Sequence, residues 1–312
     1  AWMNGLTPYV DFADSKGPFL WLIYGIGYLF SSTDYIGIFW LSCIWYSITF
    51  FFCYKIGALL LQSRRKGFAV AILMAIPYFW HYSHYEIRAE DWCHPFVVSY
   101  FYVLLKLITT PEKSLEKSCG LTIGLALAAT LFIKWSIAVL LLNIAGSIFI
   151  MLIIRKQSLV KYLLCALLSF AVFVSPFVLI FLHKDCFNAF LDEYFINTTK
   201  TVSNDGLVGL VMAYWKEFKG LFSIRFIFII YLCAGCLYYW LNRKITLLPS
   251  LCGLAFLTIS IHHDIFNYYI SICSTFAIWI AIVAVKSLDI RWTKTQIGIV
   301  MCLPIVACYW DL

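Results

Sequence analysis

The chain has 312 residues, of which 63% are hydrophobic and only 12% charged, with a formal net charge of +7 and a mean hydropathy of +0.87. A water-soluble domain of this size needs a polar surface that this composition does not supply, which excludes soluble enzymes and soluble nucleic-acid binders. Apolar runs long enough to cross a bilayer recur along the whole length, and the basic excess reads as loop charge on the cytoplasmic side.

The first element is a polar, turn-rich stretch at 5–17 that runs into a short aromatic helix at 18–31, bounded by Gly17-Pro18 and by Ser31-Ser32-Thr33-Asp34. Proline suits the first helical turn, and the helix is short for a span, so it is expected in the membrane interface. Spans follow at about 36–61, 68–82, 93–109, 119–133, 136–154 and 160–182, then, after a long polar stretch, at 224–241, 245–261, 266–286 and 296–310. The predicted fold is an all-α, polytopic transmembrane bundle of about ten spans plus the interfacial helix. It forms one transmembrane domain over 1–312: an exoplasmic segment at 1–35, six spans within 36–182, an exoplasmic loop at 183–222, and four spans within 223–312. The loop reads as mobile and carries the weak sequon Asn197-Thr198-Thr199.

The basic residues orient these spans. With Arg64, Arg65 and Lys66 taken as cytoplasmic, strict alternation brings Lys113, Lys117, Arg155, Lys156, Lys161, Arg243, Lys244, Lys286, Arg291 and Lys294 to the same side. The short outer segments then hold only Lys16, Arg88 and Lys134. Thirteen of the sixteen acidic residues fall outside, leaving Glu112, Glu116 and Asp289 inside. Carboxylates contribute little to topology, so this asymmetry is separate information and points to an acidic working face on the exoplasmic side.

Charge beside a bilayer is expensive, which makes three outer clusters candidates for function. In the first, Asp11-x-x-Asp14-x-Lys16-Gly17-Pro18, two carboxylates precede a helix start and Lys16 supplies a cation suited to a phosphate. An ordinary polar turn favoured by the helix dipole is the plain alternative. In the second, His81 to Pro95, Glu86, Arg88, Glu90 and Asp91 crowd the mouth between two spans. That set suits a general base, a metal site or a phosphate clamp, against the plain reading of a loop whose charges pair with one another. The third is His262-His263-Asp264-x-x-Asn267-Tyr268-Tyr269, whose donors and aromatics suit sugar hydroxyls or sit as an interfacial aromatic belt. Lys134-Trp135 adds a lone cation at the outer end of a short helix pair. The twelve cysteines lie in apolar runs and behave as small hydrophobes, including Cys233 and Cys236 of a C-x-x-C pattern inside a predicted span. No P-loop, G-x-S-x-G, H-E-x-x-H or G-x-G-x-x-G occurs, which argues against soluble-type nucleotide or hydrolase chemistry.

The opening pattern Gly5-x-x-Pro8-Tyr9-x-Asp11-Phe12-x-Asp14-x-Lys16-Gly17-Pro18 resembles the first exoplasmic loop of bacterial GT-C membrane glycosyltransferases, relatives of the protein O-mannosyltransferases and of lipid A aminoarabinose transferase. Arg88-Ala89-Glu90 at a span start, Gly124 to Lys134-Trp135, and His263 with Tyr268-Tyr269 are similar in order and place. The resemblance implies a transferase that uses a polyprenyl-phosphate sugar and a lipid, glycan or protein acceptor at the outer face of a bacterial inner membrane. On this chain it implies Asp14, Glu90 and Asp11 as catalytic carboxylates, and Lys16, Arg88 and Lys134 as ligands of the donor phosphate. His263, Tyr268, Tyr269 and Glu86 would touch donor or acceptor. It also implies that the family's signature acid, at the outer end of a first transmembrane helix, lies upstream of residue 1, so that the chain is either N-terminally truncated or inactive as given, and its site is partial. The acid-rich face is compatible with a divalent cation (Mg or Mn), without a definite ligand set. A transporter or flippase without transferase activity is the rival. It would carry charge near the bilayer midplane and an internal repeat, and neither is evident in the sequence.

Overall fold

The computed structural model describes residues 2, 5–12, 14–84, 88–109, 117–139, 141–142, 145–146, 160–197 and 275–287. Among these residues the regular structure is helical: α1 (Pro18–Phe30), α2 (Ile36–Leu61), α3 (Arg64–His84), α4 (His94–Thr109), α5 (Lys117–Ile133), α6 (Val160–His183), α7 (Phe187–Phe190) and α8 (Ile278–Ser287). Single 3₁₀ turns precede α4 (Asp91–Cys93) and α8 (Thr275–Ala277), and a π-helical turn covers Leu191–Asn197. The spans expected at 224–241, 245–261 and 296–310 lie outside the described residues, as do most of 136–154 and the first part of 266–286.

Local chemistry explains the boundaries. Gly17 is extended and Pro18 opens α1, which at 13 residues reaches only about 20 Å, too short for hydrocarbon about 30 Å thick. The Ser63 hydroxyl and carbonyl accept the N–H groups of Lys66 (3.4 Å) and Gly67 (2.9 Å), so α3 begins at Arg64 and takes the basic run into its first turn. The stretch read as the start of a long loop is instead ordered into α7 and the π-helical turn. Buried Phe190 and Tyr194 from this stretch pack with Tyr9, Phe132, Phe177 and Phe181.

Helices α2 and α6 (over Tyr162–His183) are long and apolar enough to cross a membrane. Their outer surfaces suit hydrocarbon, with Trp40, Ile44, Phe51, Leu164, Leu168, Val172 and Leu179 all exposed. Helix α2 packs on α3 and α4, α4 on α5, α5 on α6, and α8 on α3 and α2. The α5–α6 contact is close because Gly120 and Gly124 repeat on one face. A Cβ at Gly124 would overlap the Ala166 carbonyl, the small-residue packing typical of helix pairs in lipid.

The direction of each helix follows from its contacts. Trp45 meets Trp92 and Phe52 meets Tyr102, so α2 and α4 run parallel. Glu90, just before α4, pairs with Lys134, just after α5, so these two run antiparallel. The bundle therefore has one end carrying residues 5–17, Arg88–His94 and Lys134, and an opposite end carrying Arg64, Arg65, Lys66 and Lys117.

Candidate active site

The opening segment is held to the end of α5 by its backbone. The Gly17 N–H donates to the Ile133 carbonyl at 2.9 Å, and a Cβ at Gly17 would overlap the Phe132 carbonyl, so only glycine fits there. The Tyr194 hydroxyl donates to the Leu131 carbonyl at 2.6 Å. Two carbonyls that α5 leaves open at its C-terminus are thus satisfied by the opening segment and by the outer π-helical turn. This fixes the point from which Lys134 projects.

Tyr9 anchors the segment from beneath. Its backbone is left-handed, with φ 64°, unusual for an aromatic residue. The strain is held by packing: its ring lies 4.7 Å from Trp21, 5.3 Å from Phe190 and 5.9 Å from Phe181. Its hydroxyl donates to the Lys16 carbonyl at 2.9 Å. Burial, with Tyr194, Asp14 and Cys186 nearby, pushes the phenol's pKa well up and keeps it a donor.

Asp14 is a half-buried carboxylate that reaches solvent. Its Oδ1 accepts from the Lys16 backbone N–H and from Lys16 Nζ, both at 3.2 Å, and its Oδ2 accepts from Trp21 Nε1 at 3.2 Å. The Lys16 side chain is 48% exposed and that of Asp14 28%, so both reach solvent. Asp11 plays a different part: its Oδ2 accepts the Thr7 N–H at 2.6 Å and closes its own turn.

Glu90 and Lys134 lie deeper. They form an ion pair, with the Glu90 side chain 2% exposed and that of Lys134 16%. The resemblance assigns Lys134 to a phosphate, whereas in this structure it neutralises a buried carboxylate. Beside them, Asp91 Oδ2 accepts the Arg88 N–H at 2.9 Å, and Asp91 Oδ1 faces His94 Nε2 at 3.5 Å. Tyr24 of α1 senses all three acids. Burial raises its pKa, the Trp92 indole opposes this, and the charges of Asp91, Glu90 and Asp14 add to the rise. Asp14, Glu90, Asp91, Lys134 and Tyr24 therefore share one end of the bundle.

Glu86, His263, Tyr268 and Tyr269 lie outside the described residues, and so does the His262-His263-Asp264 cluster. Among the described residues no group of three or more His, Cys, Asp and Glu is placed to hold a metal ion. Asp11, Asp14, Glu90 and Asp91 are each engaged by protein donors. Trp21, Tyr24 and Tyr194 carry no signal in the sequence that marks them for the site. Asp91 and His94 stood inside the charged cluster at 81–95. The three aromatics were indistinguishable from an interfacial belt.

The family model for dolichyl-phosphate-mannose-protein mannosyltransferases matches residues 16–180, more than half of the chain. No curated protein and no solved structure gives a match. The matched region begins at Lys16 and includes Arg88, Glu90 and Lys134, and it favours a transferase over a transporter or flippase.

Proposed function

The chain belongs to the dolichyl-phosphate-mannose-protein mannosyltransferase family, a GT-C-type group of membrane glycosyltransferases, and on that premise we propose that it moves a sugar from a polyprenyl-phosphate donor to a glycan, lipid or protein acceptor at the exoplasmic face. In bacteria that face is the periplasmic side of the inner membrane. The observation that carries this reading is the solvent-reaching Asp14–Lys16 pair at the bundle end that also holds the buried Glu90–Lys134 pair.

Asp14 takes the proton of an acceptor hydroxyl. The oxygen attacks the anomeric carbon, the bond from that carbon to the phosphate oxygen breaks, and polyprenyl phosphate leaves with the bonding electrons. Negative charge grows on the leaving phosphate, so Lys16 and Arg88 stabilise the transition state more than the bound donor. Glu90 and Lys134 form a largely water-free ion pair at the same end of the bundle as Asp14, where electrostatic effects are stronger than in water. Asp11 shapes the loop rather than meeting substrate. The expected ten spans supply the lipid-facing walls, with 1–35 as the exoplasmic entry.

The test uses purified full-length protein and radiolabelled polyprenyl-phosphate mannose, with membrane extract as the source of acceptor. Label passes to acceptor with wild type. It falls by about 100-fold or more with Asp14→Asn, as loss of general-base catalysis requires. Lys16→Ala and Arg88→Ala lower kcat and kcat/KM for the donor, as loss of charge stabilisation on the leaving phosphate requires. Equal transfer by all four correctly inserted proteins overturns the proposal.

A further inference from the structure

Arg88 and Asp91 hold each other at both ends of one turn. The Asp91 carboxylate accepts the Arg88 N–H at 2.9 Å, and the Asp91 N–H donates to the Arg88 carbonyl at 3.1 Å. The turn is closed again two residues on, where the Cys93 N–H donates to the Glu90 carbonyl at 2.9 Å. Asp91 is too deep to meet substrate: its side chain is 3% exposed and that of its neighbour His94 only 1%. A carboxylate in such a place is costly unless it is satisfied, so its partners define its purpose.

Those partners reach three other elements. His94 Nε2 lies 3.5 Å from Asp91 Oδ1, and its ring stands edge-on to Tyr78 of α3 at 4.7 Å and near Tyr46 of α2 at 6.4 Å. The Tyr78 hydroxyl in turn meets Thr275 Oγ1 at 3.1 Å, before α8. On the far side of the turn, the Trp92 carbonyl accepts from Trp45 Nε1 of α2 at 2.8 Å. The short turn that carries Arg88 and Glu90 is thereby referenced to α2, α3 and the segment preceding α8.

We infer that Asp91, backed by His94, is a positioning residue that sets Arg88 for the donor's phosphate. The inference rests on the proposed role of Arg88 and adds a second layer to it. Rigid support of this kind matters because phosphate binding by a guanidinium depends on orientation as well as charge.

The experiment measures the affinity of the full-length protein for polyprenyl phosphate in nanodiscs, by quenching of tryptophan fluorescence. Asp91→Ala weakens binding about tenfold, the scale of one charge-assisted contact. Asp91→Asn, which keeps an acceptor for the Arg88 N–H, restores it to within about threefold. In an Arg88→Ala background Asp91→Ala has no further effect, because coupled residues are not additive. His94→Gln, which leaves Asp91 in place, gives a smaller loss that also vanishes in that background, and it carries the same cycle if Asp91→Ala does not insert. Equal losses in both backgrounds, or no rescue by Asn, assign Asp91 to the fold alone and overturn the inference. Wild-type affinity in Arg88→Ala, with weak binding in Asp91→Ala, instead overturns the assignment of Arg88.

Discussion

Replacing Lys134 by Met probes the centre of the site. The Glu90 carboxylate is 2% exposed and the Lys134 side chain 16%, so neither charge has much water to fall back on. At the effective permittivity usual near protein surfaces, unit charges in contact attract by about 4 kcal/mol. Desolvation offsets much of that gain in the intact pair, but removing one partner leaves the other buried and uncompensated, which costs about 3–5 kcal/mol. Lys134→Met keeps the length and apolar stem of the side chain, so the loss is electrostatic rather than a cavity. Lys134→Met paired with Glu90→Gln removes both charges and recovers stability to within about 1–2 kcal/mol of wild type. Unfolding in detergent, followed by tryptophan fluorescence against denaturant, measures all three proteins. A loss below about 1 kcal/mol in Lys134→Met, the range of exposed ion pairs, refutes the reasoning. So does a double variant as damaged as the single.

Trp21→Phe keeps the ring that packs on Tyr9 and Phe12 but removes the N–H donated to Asp14. Transfer falls about tenfold while unfolding is little changed, because a donor to a carboxylate is lost and apolar contact is kept. Gly124→Ala drives a methyl into the Ala166 carbonyl and costs about 1–3 kcal/mol in the same unfolding assay, whereas Leu121→Ala, on the exposed side of α5, costs little. Asp34, between α1 and α2, has its pKa lowered by the Ser31 hydroxyl and then the Ile36 N–H. A depressed folded-state value contributes stability above the unfolded value and loses it as pH falls through the folded one. Ser31→Ala therefore moves the Asp34 titration upward, read by carboxyl carbon NMR, and an unmoved titration contradicts the hydrogen bond.

Much of the chain's local order was legible because the signals are short-range. Gly17-Pro18 marked the start of α1, and the apolar run at 36–61 coincides with α2. The start of α3 was set too late because Arg64, Arg65 and Lys66 read as loop, while the Ser63 cap makes them a first helical turn. Residues 183–197 read as loop for a similar reason: Lys184-Asp185 and Asp192-Glu193 are polar in sequence. Phe181, Phe190 and Tyr194 nonetheless bury one face and order the stretch. In the site, Asp14 and Lys16 share a turn, so their pairing was within reach of sequence reasoning. Glu90 and Lys134 are 44 residues apart, and only the antiparallel packing of α4 and α5 brings them together. In the structure each of the two neutralises the other.

In the proposed reaction Asp14 is the substrate-facing base and not merely a stabilising turn residue. Single-turnover transfer from bound polyprenyl-phosphate mannose by Asp14→Asn tests it most directly, with donor affinity measured on the same sample. Donor binding stays within about threefold of wild type, and the transfer rate falls by about 100-fold or more. Wild-type transfer rate in Asp14→Asn, with donor bound, would contradict it.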